Sequence, residues 1–209
     1  KTNRIDAAML DLISAQVVLR STPEISIFTD DILSLPLGVG FSKKNPELRK
    51  KFNLFLAHIK ETGEFDEMYT RWCIEDPEQA VMPKIDNHRT GPKIMVGVAV
   101  GDLPYVAYVK NDYVGFDIEM LQRFAQHEGL NFEFITMEFA ALIMSLATGK
   151  VDIIADGIAI SEERSKQVDF SDPYLDFQTA VIAMNHNISR LNENKSSPRV
   201  KKESGLFAG

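Results

Sequence analysis

Apolar residues recur along the chain in short runs that change between strand-like and helix-like spacing. The first part of the chain predicts a strand at residues 4–10, a helix at 13–20, and two strands at 25–28 and 35–42. Pro23 ends the helix, because proline cannot continue its hydrogen-bonded turns. Gly38 and Gly40 interrupt the fourth segment, where we expect a backbone bend or the close approach of another element.

A well-marked helix is predicted next, between Asn45 and Gly63. Asn45 is a good N-cap, Pro46 suits the first turn, and Gly63 suits the C-terminal end. Its apolar residues recur at helical spacing and are Leu48, Phe52, Phe55, Leu56 and Ile59. A last short helix carries Phe65, Met68, Tyr69 and Trp72. We interpret both groups of apolar side chains as core.

The second half of the chain alternates strands and helices more regularly. Strands are predicted at residues 94–100, 131–137, 151–155 and 177–184, and helices at 116–128, at 139–148 and directly after Ser161. Such an alternation is typical of a parallel sheet flanked by helices. The sequence therefore predicts an α/β fold.

Two segments lack any hydrophobic period. Residues 75–93 are polar and rich in proline and glycine, which is typical of a linker. Residues 185–209 are poor in apolar residues and rich in Asn, Ser, Lys and Arg, which predicts a linker or disorder.

Composition and charge argue against several classes of function. The net charge of −7 argues against nucleic acid as a partner, because phosphates require a basic face. Cys73 is the only cysteine, and the chain has no Cys/His spacing of a metal site and no phosphate-binding or hydrolase motif. We therefore expect no metal, no cofactor and no catalysis.

Candidate binding residues follow the ends of predicted strands, where open α/β sheets bind their ligands. A small zwitterion requires an arginine for its carboxylate, a glycine turn with accessible N–H groups, and an acid for its ammonium group. Arg164, Gly157 and Asp11 have these properties. An alternative for Arg164 is a solvated helix charge that pairs with Glu162 or Asp169.

Three linked blocks of the second half resemble a known family. They are residues 114–120 (VGFDIEM), 149–152 (GKVD) and 161–174 (SEERSKQVDFSDPY). Together they resemble the first lobe of the bacterial extracellular solute-binding proteins of family 3, the polar amino-acid receptors of ABC importers. The resemblance implies a type 2 periplasmic binding protein fold, in which helices flank a mixed, mainly parallel sheet, together with an incomplete second lobe. It also implies a periplasmic or other extracytoplasmic location.

Residues 4–73 resemble the end of the same family. Residues 4–11 resemble the last strand–helix unit of lobe 2. Residues 37–41 resemble the strand that crosses back to lobe 1, and residues 47–72 resemble the closing helices of lobe 1. The family's end therefore precedes its beginning in this chain. Two interpretations are open: a cut across two tandem modules, or a circular permutation in which residues 37–73 complete the lobe formed by residues 94–184.

The resemblance divides the chain into five parts. Residues 1–34 are the end of a ligand-binding lobe 2, and residues 35–74 are the closing strand and helices of a lobe 1. Residues 75–93 form a linker, residues 94–185 are lobe 1 of a solute-binding module, and residues 186–209 are a polar tail or linker. A fused permease or a membrane tether beyond the tail is a further expectation.

The resemblance also implies roles for individual residues. The expected ligand-binding set is Asp11, Asp102, Leu103, Tyr105, Gly157, Ala159 and Arg164. Arg164 would bind the α-carboxylate with backbone groups near Gly157, and Asp11 would bind the α-ammonium group. Two features depart from the family: Ala159 replaces a hydroxyl residue, and the stretch 103–106 replaces an aromatic platform, for which Tyr105 or Tyr108 is the candidate substitute.

Three functions follow as hypotheses. The leading one is a module that captures a polar amino acid for an ABC transporter permease and performs no chemistry on it. A second is the ligand-sensing external domain of a tandem-module sensor kinase. A third is a small-acid dehydratase of the same fold, for which Glu138, Glu162 and Glu163 are the candidate carboxylates.

Overall fold

A computed structural model describes residues 6–86, 91–101 and 103–195. The chain separates into two compact units. One unit contains Ser34–Phe177, and the other contains the chain up to Leu33 and from Gln178 onward. Expectations for residues 4–5, 87–90 and 196–209 lie outside the described residues.

The elements follow one another as strands and helices throughout. The strands are β1 (Ala7–Asp11), β2 (Ile25–Leu37), β3 (Gly40–Phe41), β4 (Lys93–Val98), β5 (Ala107–Val109), β6 (Asp112–Val114), β7 (Asn131–Thr136), β8 (Ile153–Ala155), β9 (Asp169–Phe170) and β10 (Leu175–Met184). The helices are α1 (Leu12–Ser21), α2 (Pro46–Thr62), α3 (Glu64–Tyr69), α4 (Phe116–Glu128), α5 (Leu142–Thr148), α6 (Glu162–Gln167) and α7 (Asn185–Lys195). A π-helical turn extends α3 over Thr70–Ile74, and a 3-10 turn at Phe139–Ala141 precedes α5.

The unit formed by the two ends of the chain contains a three-stranded sheet in the order β1-β10-β2. β1 is antiparallel to β10, with Ala7 opposite Ala183. α1 begins after Asp11, whose side chain accepts hydrogen bonds from the N–H groups of Ile13 and Ser14 and so caps the helix. Ala15 of α1 packs with Ala180 and Ile182 of β10, and these three residues form the core of this unit.

The larger unit is built on a five-stranded sheet in the order β7-β4-β8-β3-β9. β4 is parallel to β7 and to β8, whereas β3 is antiparallel to β8 and β9. The sheet is therefore mixed, with β4, β7, β8 and β9 running in one direction and β3 in the other, and the expected type 2 periplasmic binding protein-like α/β class is confirmed. β3 lies between strands that come more than a hundred residues later in the chain, so the early segment is an integral part of this sheet.

Gly40 of β3 allows a close approach inside the sheet. A Cβ at this position would lie 2.5 Å from Cγ1 of Ile154 on the neighbouring strand β8. Real Cβ atoms do not approach other heavy atoms so closely, so a larger residue would push the two strands apart. The expected close approach at this glycine is confirmed.

Aromatic side chains form the core between α2, α4 and the sheet. The five stripe residues of α2 are all buried, as their spacing predicts. Phe52 of α2 packs edge-on against Phe124 of α4, with ring centroids 5.1 Å apart, and against Phe41 of β3 at 5.4 Å. Asn45 caps α2 through its side chain, and Gly63 ends the helix in the left-handed region.

A buried carboxylate connects the segment after α2 to α4. Glu119 has no solvent-exposed surface, and its oxygens accept hydrogen bonds from Nη1 of Arg71 at 2.8 and 2.9 Å. The Nε1 group of Trp72 donates at 2.7 Å and Nε of Arg123 at 3.0 Å. The charge is therefore paired and hydrogen-bonded, which buried carboxylates require.

The structure differs from the sequence predictions in three places. Residues 25–37 form one strand, whereas the pattern predicted two strands with a connection between them. The hairpin of β5 and β6 was not predicted, and its strands are only three residues long. α7 forms where the sequence predicted a linker; Asn185 anchors it, since its N–H donates to the carbonyl oxygen of Glu24 and its Oδ1 accepts from Ser26.

None of the described helices is both long and apolar enough to cross a membrane.

Candidate functional site

The parallel strands β4, β7 and β8 end at the same edge of the larger sheet. Ligands of open α/β sheets bind at this edge. Tyr105 follows β4, Phe139 follows β7, and Gly157 and Arg164 follow β8. The edge therefore combines a cation, two aromatic rings and a glycine turn in one compact unit.

Arg164 is a half-buried residue in α6. Its Nη1 group donates a hydrogen bond to the carbonyl oxygen of Ala159 at 2.7 Å, and its guanidinium carbon lies 5.7 Å from the ring centroid of Phe139. Its backbone N–H donates to the side chain of Ser161, which caps the helix. Glu162, a candidate partner, instead pairs with Lys166 at 3.6 Å. The guanidinium is thus positioned by the turn and by the aromatic ring.

Arg164 lines two shallow pockets of this unit. One has a volume of about 290 Å³ and is lined by Phe139, Ala140, Leu142, Ile143, Ile158 and Arg164. The other has a volume of about 390 Å³ and is lined by Leu35, Ile143, Ala159, Ser161, Glu163, Arg164 and Gln167. The guanidinium of Arg164 therefore adjoins mainly apolar side chains in the first pocket, and in the second pocket it also adjoins polar ones.

Two side chains, Tyr105 and Asp117, contact the turn at Gly157. Gly157 has a φ of +54°, in the left-handed region, and a Cβ there would lie 2.9 Å from Cδ2 of Tyr105. Its N–H donates to Oδ2 of Asp117 at 2.8 Å, and the same oxygen accepts from the hydroxyl of Tyr174 at 3.0 Å. The orientation of the turn therefore depends on Tyr105, Asp117 and Tyr174.

Two carboxyl groups in this region are poorly solvated. Asp117 has no exposed surface, and its Oδ1 has no hydrogen-bond partner among the described residues. Burial raises the pKa of Asp117 from 3.8 to about 6, against the hydrogen bonds from Gly157 and Tyr174. Burial, and then the charge of Asp117, raise the pKa of Asp156 to about 7. Burial also raises the pKa of Tyr174 well above its ordinary value.

The other predicted site residues lie in different surroundings. Asp11 belongs to the other compact unit, where its Oδ1 caps α1, and Asp102 lies outside the described residues. Leu103 lines a second groove of about 660 Å³, which runs along the β5–β6 hairpin. Tyr105 is buried, and Tyr108 packs edge-on against Tyr113 in that hairpin. The roles of these residues in ligand binding stay predictions.

Two residues of the edge were missed as functional candidates. Phe139 was interpreted only as the start of a helix, yet 44% of its surface is exposed beside Arg164. Asp117 was quoted only as part of a family motif. No local pattern singles out Asp117, because an acidic residue in the first turn of a helix is ordinarily explained by the helix dipole.

The carboxylates considered for dehydration lie at the surface, and the buried carboxyl of Asp117 is engaged by its neighbours. Glu138, Glu162 and Glu163, the three carboxylates considered for dehydration, are all exposed to solvent. Asp117 is poorly solvated, but it is wholly buried and engaged by Gly157 and Tyr174. Within the described ranges, no three His, Cys, Asp or Glu residues lie close enough to hold a metal ion.

Comparison with known proteins matches the second half of the chain. A model of bacterial extracellular solute-binding proteins, family 3, matches residues 94–205, which is more than half of the chain. The arginine-binding extracellular protein ArtP of Bacillus subtilis is 35% identical over 91 residues, which are 44% of this chain and 36% of that protein. The ABC transporter arginine-binding protein 1 of Escherichia coli is 36% identical over 92 residues, 44% of this chain and 38% of that protein.

Solved structures match a similar part. A putative binding component of an ABC transporter from Wolinella succinogenes, in complex with lysine, is 33% identical with a TM-score of 0.38, covering 40% of this chain and 36% of that one. An ancestral cyclohexadienyl dehydratase is 32% identical with a TM-score of 0.38, covering 40% and 35%. The chain thus spans less than half the length of these relatives.

Proposed function

Because this chain belongs to the bacterial extracellular solute-binding proteins of family 3, we propose that it captures a polar amino acid outside the cytoplasm for an ABC importer. It performs no chemistry on that amino acid. The observation that carries the proposal is the guanidinium of Arg164, which lies beside Phe139 and the Ala159 backbone at the carboxyl edge of the parallel strands. An arginine fork in this position suits a carboxylate.

In the proposed binding mode, the ligand lies beside Arg164 and contacts the residues that line the two pockets. Arginine has five N–H donors, and among the described residues the side chain of Arg164 donates only to Ala159. Its other donors would bind the α-carboxylate in a bidentate manner. The exposed ring of Phe139 would contact the apolar part of the ligand's side chain. The role of Asp11, which belongs to the other compact unit, stays a prediction from the family resemblance.

The names of the relatives support an amino acid as ligand. Both curated relatives described above are named as arginine-binding proteins, and one is also named as part of an ABC transporter. Since the chain matches only 36% and 38% of their lengths, their ligands and their transport partner are proposals for this chain. A membrane permease, fused or separate, is the proposed partner.

We further propose that residues 35–74 complete the lobe formed by residues 94–185, with residues 75–93 as the linker. Residues 1–34 would then be the end of a lobe 2, and residues 186–209 a tail. The position of β3 between β8 and β9 supports this organisation, because the early segment supplies a strand to the later one. This pairing is the one expected of the permuted arrangement, because the tandem arrangement assigns the two segments to different modules.

A thermal-shift screen of the L-amino acids tests the proposed function. A ligand at 100 times its Kd should stabilise the chain by about 2.7 kcal/mol, which is readily measured as a rise in Tm. Arg164→Ala should abolish most of that rise, because the carboxylate loses its charged partner. Lys166→Ala is the matched control, since this lysine is exposed on the same helix and pairs only with Glu162. An equal rise in the Arg164→Ala variant contradicts the assigned role.

A further inference from the structure

A buried polar cluster lies directly beneath the turn that leads to Arg164. It contains Asp117, Asp156, Tyr174 and the ring of Tyr105. We propose that Asp117 is a positioning residue for the amino-acid site, whose ionised carboxylate fixes the Gly157 turn in its binding orientation. This inference rests on the proposed function of that turn, and it adds a way in which pH regulates the site.

Asp117 connects three segments of the sheet edge. The N–H groups of Phe116 and Asp117 donate to the carbonyl oxygens of Pro104 and Tyr105, at 2.8 and 3.2 Å. Oδ2 of Asp117 accepts from Gly157 and from the hydroxyl of Tyr174. One residue thus links the loop after β4, the turn after β8 and the segment after β9. Loss of its carboxylate would release the turn from the other two segments.

The carboxylate has no cation to balance its charge in the described part of the molecule. The groups that face it are Asp156, Tyr174 and Tyr105. Arg71 and Arg123 bind Glu119, which lies two residues further along the same helix. An uncompensated buried carboxylate takes up a proton more readily than an exposed one. Its Oδ1 is buried and has no hydrogen-bond partner among the described residues.

Protonation of Asp117 weakens its hydrogen bond to the Gly157 turn. A charged acceptor makes a stronger hydrogen bond than a neutral one, so Oδ2 holds the Gly157 N–H more firmly when Asp117 is ionised. The raised pKa of about 6 brings this change into the physiological range. Ligand affinity should therefore fall as pH falls through that value. Asp156, beside it, has a raised pKa of about 7 and should protonate first, so that its negative charge no longer opposes ionisation of Asp117 at lower pH.

The test compares the parent with three variants over a range of pH, with the full 209-residue chain. Calorimetry measures the Kd for the amino acid found in the thermal-shift screen. In the parent, affinity should fall by about tenfold between pH 7 and pH 5, as expected if the ionised carboxylate is required. Asp117→Asn, which keeps an acceptor oxygen but no charge, should show a flat profile. Asp117→Ala should bind weakly at every pH. Asp112→Asn, the control, removes the same charge at an exposed position and should follow the pH profile of the parent.

A second readout does not depend on the ligand. Exchange of the Gly157 amide hydrogen, followed by NMR, should be slow in the parent and in Asp117→Asn and fast in Asp117→Ala, because only the last variant loses the acceptor. Identical exchange in all three proteins, or identical pH profiles of affinity in the parent and Asp117→Asn, would overturn the inference. If no amino acid binds the parent, the proposed function fails, and the exchange measurement alone decides whether Asp117 holds the turn.

Discussion

At the scale of single residues, the site depends on a glycine in the left-handed region and on a poorly solvated carboxyl. Gly157 adopts a positive φ, which glycine does readily, and has no room for a Cβ beside Tyr105. Asp117 is buried without a counter-charge among the described residues and accepts two hydrogen bonds on one oxygen. Such a buried carboxylate reduces stability, and proteins retain one mainly where it positions a functional group. The edge of the parallel strands is where both occur.

The burial of Asp117 predicts a pH dependence of stability. Its pKa rises from 3.8 in the unfolded chain to about 6 in the folded chain, so the folded state binds more protons between these values. The free energy of unfolding should therefore fall as pH rises through this window, by up to about 3 kcal/mol. Asp117→Asn should remove most of this fall.

Urea unfolding at several pH values between 4 and 8 measures this effect. The free energy of unfolding of Asp117→Asn, relative to the parent, should increase with pH across the window. Asp112→Asn, on the exposed hairpin strand β6, is the control and should leave the slope unchanged. Parallel pH profiles for the parent and Asp117→Asn would show that the carboxyl is not perturbed by burial.

At the scale of elements, the early helices complete the later sheet. α2 packs its aromatic stripe against α4 through Phe52 and Phe124. The turn after α3 adds the ion pair between Arg71 and Glu119. The first contact contributes apolar burial, and the second specifies how the helices are aligned. The two kinds of contact together attach residues 46–74 to α4.

Removal of Glu119 should be costly. Glu119→Ala leaves Arg71, Trp72 and Arg123 without their shared acceptor in a buried setting, and the free energy of unfolding should fall by about 3–5 kcal/mol. Lys51→Ala breaks the exposed pair with Glu128 and should cost less than about 1 kcal/mol. Urea unfolding compares the two variants. Equal losses would mean that the buried network adds no more than a surface pair.

At the scale of the whole molecule, the chain contains one large unit and one small one. The boundaries between them fall inside β2 and β10. The larger unit has its own sheet and aromatic core, and the smaller unit has a three-residue buried core, Ala15, Ala180 and Ile182. Stability should therefore reside mainly in the larger unit.

The larger unit should fold by itself. A fragment of residues 34–177 should give a dispersed NMR spectrum and unfold cooperatively, because it retains the complete five-stranded sheet. A fragment of residues 93–177 lacks β3 and α2, so β8 and β9 lose their shared neighbour and α4 loses its apolar partner. This shorter fragment should be unfolded or aggregated. If it folds as well as the longer one, residues 34–74 are not an integral part of the lobe.

Much of the local structure was predictable from the pattern of residues. The bounds of α2 and α4 and the caps at Asn45 and Ser161 followed from spacing and from capping residues. α7 was missed because its sequence has no apolar stripe, and it forms through polar contacts of Asn185 with residues near Pro23. Of the candidate site, Arg164 and Gly157 were singled out in advance, whereas Asp117 and Phe139 were not.

The sequence by itself determined the α/β class, the family and the order of most of the elements, because these depend on local periodicity, on caps and on contiguous motifs. Only the tertiary structure decided that β3 lies between β8 and β9, and that Asp117 lies beneath Gly157 without a counter-charge. These features join residues that are 40 or more positions apart. No local pattern encodes such contacts, since they arise only when the packed chain excludes water from both partners.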